Sequence, residues 1–224
     1  KPTDERKLNC SALSNTWFAG FVKILTEKVA KTEVGSLFDN VTFLSFNYDR
    51  CIEHFLYEAL QVSYSLDAAT ITSLMKKLQI LHPYGSVGKL PWQETNHLLN
   101  VPFGSDRSNL LVIAKQIKTF NESVHEDQEI KKIRDAIQNA EIIVFLGFAF
   151  HRQNIELISP PGECKAKRIY ATAYGISKSG CEVIQVELES MLKQKKSKAS
   201  IEFRNDLKCA GLFDEYWHSL TADL

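Results

Sequence analysis

The sequence predicts an α/β protein, built as a three-layer, mostly parallel, Rossmann-like sheet with helices on both faces. Three observations lead there. Short apolar, β-branched runs alternate with amphipathic stretches of helical period. Three of those runs, within residues 41–53 (VTFLSFNYDRCIE), 81–88 (LHPYGSVG) and 142–154 (IIVFLGFAFHRQN), break abruptly into polar residues and glycine. The carboxyl ends of parallel strands look this way where an open sheet gathers its ligand site. The chain has 224 residues, 44% hydrophobic and 24% charged, enough for a single large domain, and no internal repeat or low-complexity segment interrupts it.

The elements follow in order. Asn15 is placed to cap a helix over residues 16–31, whose apolar stripe is Trp17, Phe18, Phe21, Ile24 and Leu25; Gly35 breaks it. Residues 41–46 read as a buried strand. Residues 51–61 read as a helix with Ile52, Phe55, Leu56 and Leu60 on one face. Asp67 can cap a further helix through Lys77, with Ile71, Leu74, Met75 and Leu78 inward. Residues 78–82 form the second strand candidate. The stretch 89–106 then loses periodicity and reads as a long loop, punctuated by Pro91, Pro102 and Gly104. Helical pattern resumes over 109–120 and 127–139. Residues 142–146 and 167–171 read as strands, and Ser177 opens a helix to about Lys195. Residues 201–203 and 207–220 complete the chain as a short strand and a closing helix with Leu212, Phe213, Tyr216 and Trp217. The charged opening, residues 1–14, is expected to be flexible, and a chain that starts at Lys1 reads as truncated at its N-terminus.

Composition bounds the function. Lys+Arg and Asp+Glu both number 27, a balance that gives no sign of direct nucleic-acid binding. The five cysteines are scattered without a CxxC pair, which argues against a disulfide framework and a zinc site and suggests reduced thiols in the cytoplasm. No apolar run approaches the roughly 20 residues a membrane span needs. A GxSxG elbow and a GxxxxGK[ST] phosphate loop are both absent from the sequence.

The candidate site residues cluster at the strand ends. Asn47 offers an amide donor and acceptor suited to a carboxamide or a ribose hydroxyl, and Asp49 can orient such a partner or stabilise positive charge on a sugar ring. Local chemistry alone favours a plainer role for both, capping the helix at Cys51. Arg50 and Glu53 read as first-turn surface residues. His82 ends a strand and can relay a proton near neutral pH, although a lone histidine there is most often a hydrogen-bonded structural residue. Gly85 and Gly88 leave room for a ligand, and Gly147 permits close backbone approach to a phosphate or ribose. Phe148 and Phe150 fit a core better than a site. Arg152 fits a surface ion pair better than a phosphate contact.

Taken together and in this order, FNYDRCIE, LHPYGS and LGFAF resemble the sirtuin-like domains of bacterial proteins, over residues 41–173. The resemblance implies that Asn47 and Asp49 serve the nicotinamide-ribose side of NAD and that His82 matches the catalytic histidine, here separated from Gly85 by Pro83 and Tyr84. It implies cofactor-binding positions at Phe46, Asn47, Gly85, Gly147, Phe148 and Thr172. Thr172 stands where the family has an asparagine for the adenosine ribose. Without the four-cysteine zinc module of deacylating sirtuins, the resemblance points to NAD hydrolysis, with NAD as substrate, no zinc, and a setting in bacterial anti-phage defence. The family's glycine-rich phosphate loop would precede Lys1. The rival expectations are a non-catalytic NAD- or ADP-ribose-binding module and an oligomerisation module anchored by Trp92 and Trp217. A homo-oligomer or a further domain in the parent protein would be its partner.

Overall fold

Alternation of apolar runs with helical stripes produces the expected α/β architecture with parallel strands. The structure is a computed structural model and describes residues 10–93, 100–104, 110–118, 128–195 and 198–222. Most of the expected flexible opening, and parts of the 89–106 loop and of the helices expected at 109–120 and 127–139, lie outside the described residues. The chain divides into two compact units, residues 1–119 and 120–224.

The first unit contains α1 (Trp17–Thr26), β1 (Thr42–Leu44), α2 (Cys51–Tyr64), α3 (Ala68–Met75), β2 (Gln79–Leu81) and α4 (Leu110–Ala114). A short 3-10 helix, Lys31–Ser36, links α1 to β1. β1 and β2 pair in parallel, Thr42 opposite Gln79 and Leu44 opposite Leu81. A parallel pair needs a crossover, and α2 and α3 supply it. Their inward residues Phe55, Leu56, Ala59, Leu60, Ile71, Leu74 and Met75 form one buried cluster with Leu37 and Phe38. Phe18 packs against Phe55, and Phe21 meets Phe43 of β1 edge-on at 5.0 Å. Asp67 caps α3 as expected, its Oδ1 accepting the Thr70 N–H at 2.8 Å. That bond holds the Asp67 carboxyl below the usual carboxylate range. Asn15 does not cap α1. Thr16 is the capping residue, and its hydroxyl turns back to donate to the Leu13 carbonyl at 2.6 Å.

The second unit contains α5 (Gln128–Asn139), β3 (Ile142–Phe145), α6 (Arg152–Ile158), β4 (Arg168–Thr172), α7 (Lys178–Leu192), β5 (Ser200–Arg204), α8 (Cys209–Glu215) and α9 (Trp217–Thr221). Its three strands are parallel in the order β3-β4-β5. Ile143, Phe145, Ile169 and Ala171 are buried on one face. On the other, Ile142 and Val144 pack against Tyr170, Leu212 and Tyr216. Burial on both faces is why these strands read as continuous apolar runs rather than alternating ones. Ser177 caps α7 through the Gly180 N–H at 3.1 Å. The single closing helix expected over 207–220 is broken at Tyr216, whose φ of −102° and ψ of 17° leave the helical region.

Leu60 is fully buried in the cluster between α2 and α3, whereas Val62, two residues on, is 69% exposed. Leu60→Ala should therefore lower unfolding free energy by about 2–5 kcal/mol. Val62→Ala should change it by no more than about 0.5 kcal/mol, both read by urea denaturation.

Candidate functional site

Because β1 and β2 run parallel and in register, the residues after Leu44 and after Leu81 leave the sheet side by side. Ser45 extends the ladder by one bond, its N–H donating to the Leu81 carbonyl at 2.9 Å. The chain then turns outward, so that Asn47, Tyr48 and Asp49 are exposed before α2 begins. The Asn47 side-chain amide makes no hydrogen bond among the described residues. Asp49 carries out the capping role that its local chemistry favours: Oδ1 accepts the Cys51 N–H at 3.0 Å. The two strand-end loops hold each other. Val87 N–H donates to the Tyr48 carbonyl at 2.9 Å, and the Phe46 ring meets Tyr84 edge-on at 5.7 Å.

Gly85 has a φ of 76°, which closes the turn after His82, and its N–H donates to the His82 carbonyl at 2.8 Å. A Cβ there would lie 1.8 Å from the Gln116 carbonyl oxygen. Lys118 N–H also donates to the Tyr84 carbonyl. The space left by this glycine is thus filled by the protein's own backbone at 116–118.

His82 is only 6% exposed. Its Nδ1 lies 3.0 Å from the Asn47 carbonyl oxygen and its Nε2 lies 3.1 Å from Glu53 Oε1. Glu53 and Arg50 are 2% and 5% exposed, which overturns the expectation that both sit on the surface. A signal for Glu53 was present: it precedes Leu56 by three residues and Leu60 by seven, on the same inward stripe. Arg50 precedes the helix and carries no periodic signal. One of its terminal nitrogens donates to the Val101 carbonyl. Burial pulls the Arg50 guanidinium below its ordinary value, and the nearby Glu53 acts in the opposite direction. Burial, with a hydrogen bond to Asp49, pushes the Cys51 thiol up to about 12. A general base must offer a lone pair to the proton it takes. Both ring nitrogens of His82 face oxygen acceptors, so this arrangement presents none.

In the second unit Gly147 ends β3 in the left-handed region at φ 59°, and its N–H donates to Thr172 Oγ1 at 2.9 Å. The Thr172 hydroxyl donates in turn to the Phe145 carbonyl at 3.3 Å, and the residue is 4% exposed. Thr172 therefore ties the ends of β3 and β4 together, and its hydroxyl is used internally. Phe148 packs against Phe145 and Phe150 at 5.3 and 5.1 Å between ring centroids. Phe150 is held at φ 53° while buried, an uncommon conformation for a non-glycine residue. Arg152 pairs with Glu156 on the surface at 2.9 Å. Trp92 stacks on Tyr57 and packs against the core of the first unit.

Asn47, His82, Phe46 and Gly85 thus come together in the first unit, with Asp49 bonded to Cys51 beside them. Gly147, Phe148 and Thr172 are neighbours in the second. A surface recess of about 510 Å³ beside the Lys31–Ser36 turn is lined by none of these residues. Among the described residues, no group of three or more His, Cys, Asp or Glu is placed to hold a metal ion. Nor is any helix long and apolar enough to cross a membrane. No family model matches the sequence, and neither the curated proteins nor the solved structures yield a match.

Two outcomes follow from this geometry. Gly85→Ala should lower stability by more than about 1 kcal/mol, read as a fall in the urea midpoint, because it loses a positive-φ residue and meets fixed backbone. Cys51, with its thiol raised to about 12, should carry thiolate in only about one molecule in 10⁴ at pH 8. It should stay unmodified by iodoacetamide at that pH, and its reactivity should rise as the pH approaches 12, as peptide mass mapping would show.

Proposed function

We propose that the β1–β2 edge is the catalytic part of a sirtuin-like NAD glycohydrolase, which converts NAD and water to nicotinamide and ADP-ribose. The supporting observation is the contact between His82 and Asn47, 35 residues apart in sequence, which joins the FNYD and LHPYG segments with the Asn47 amide on the exposed side. In the reaction the bond between the ribose anomeric carbon and the nicotinamide nitrogen breaks, and its electron pair leaves with nicotinamide. A water oxygen bonds to that carbon and its proton passes to solvent. Asn47 orients the nicotinamide ribose or the attacking water through its amide. Asp49 lies on the same exposed turn, where its carboxylate stabilises positive charge developing on the sugar. His82 contributes by holding the Asn47 backbone. A cytoplasmic setting supplies NAD and accords with the scattered thiols, and consumption of NAD suits a role in bacterial defence.

Nicotinamide release from NAD tests this reading. Asn47→Ala should reduce the rate at least about 100-fold. Its unfolding free energy should stay within about 0.5 kcal/mol of wild type, because the residue is exposed. Wild-type rates in that variant would remove Asn47 from the mechanism. Binding of NAD or ADP-ribose by the wild type without any product would make the chain a nucleotide-binding module instead.

A further inference from the structure

We propose that Glu53 is a positioning residue of this site: it holds the His82 imidazole through Nε2, so that Nδ1–H is donated to the Asn47 carbonyl and fixes the turn that carries the Asn47 amide. The consequence for catalysis rests on the glycohydrolase reading, whereas the relay itself rests on the geometry.

The Asn47 carbonyl oxygen can only accept a hydrogen bond, and an ionised Glu53 carboxylate can only accept as well. With that carboxylate ionised, both contacts are hydrogen bonds only when the imidazole carries a hydrogen on each nitrogen and acts as a double donor. Glu53 Oε1 lies 3.1 Å from His82 Nε2, and the buried Arg50 guanidinium feels the same carboxylate together with Cys51 and Asp49. Glu53 also stands in the first turn of α2, where the helix dipole favours a carboxylate.

The cluster is costly to fold. Glu53 Oε2 and Arg50 Nε are buried without a hydrogen-bond partner among the described residues, so each has given up its hydration with nothing in return. An apolar side chain at position 53 would simply continue the stripe of Leu56 and Leu60, and such replacements of buried charges are often neutral or stabilising. What the carboxylate supplies and an apolar residue lacks is a fixed acceptor for His82, one bond from the backbone of Asn47. Displacing a catalytic group by about 1 Å can cost about 100-fold in rate, so holding that turn has catalytic weight.

The experiment pairs ¹⁵N NMR of histidine-labelled protein with nicotinamide release, in wild type, Glu53→Gln and Asn47→Ala; the His82 signals among the six histidines are assigned with His82→Asn. Wild type should show hydrogens on both His82 nitrogens. Glu53→Gln keeps the side-chain shape without its charge; it should leave one nitrogen bare and lower kcat about 100-fold with KM for NAD within about threefold. A bare His82 nitrogen in the wild type overturns the relay, and this result is read without any variant having to fold. A folded Glu53→Gln with wild-type kcat, while Asn47→Ala is inactive, overturns the positioning role. Both hydrogens in a wild type that releases no nicotinamide uphold the relay and count against the glycohydrolase reading alone.

Discussion

The three-residue parallel ladder between β1 and β2 is the constraint on which the proposed site depends. It makes few hydrogen bonds of its own, and its register is held by what packs on it: Phe21 against Phe43, and the α2–α3 crossover through Leu56, Leu60, Ile71 and Met75. Because the register puts Leu44 opposite Leu81, the next residues on both strands leave the sheet together. A shift by one residue would move His82 away from the Asn47 carbonyl and turn one strand over relative to the other. Packing in the core of the first unit is therefore what sets the geometry at its polar edge.

That edge is unusual in its electrostatics. Three ionisable side chains, Arg50, Glu53 and His82, are buried within a few residues of a helix start and a strand end. Each is accommodated by a different means. Arg50 gives a bond to the Val101 carbonyl, His82 is bonded at both nitrogens, and Glu53 has the imidazole on one oxygen and the positive end of α2 nearby. The neighbouring exposed residues, Asn47 and Asp49, are by contrast held through backbone and capping bonds, which leaves the Asn47 amide outward. A buried imidazole bonds the backbone of the loop, and the Asn47 amide faces solvent.

The strand ends of the second unit solve a similar problem without charge. Gly147 and Phe150 both adopt left-handed backbone within four residues. The turn between them is held by the Thr172 hydroxyl and by the rings of Phe145, Phe148, Phe150 and Phe203. A threonine there provides a hydroxyl short enough to be buried between two strands, and it is absorbed by the fold.

The sequence by itself determined the class of the protein and the order of its elements. Apolar periodicity changes from runs to helical stripes at places such as Phe46–Asn47 and Leu146–Gly147, and those switches depend only on local residue type. Caps with a side-chain oxygen acceptor to hand, Asp67 and Ser177, were legible for the same reason. The sequence also marked Asn47 and His82 as candidates, but not what they touch. Tertiary structure alone decided that Gly85 makes way for Gln116, that Thr172 is buried, and that Arg50 lies inside. Burial of a polar group is set by residues far along the chain, Val101 for Arg50 and Glu53 for His82, and no local pattern encodes such a partner. Glu53 stands between these cases: its helical phase pointed inward, and only the fold supplied the imidazole that a buried carboxylate requires.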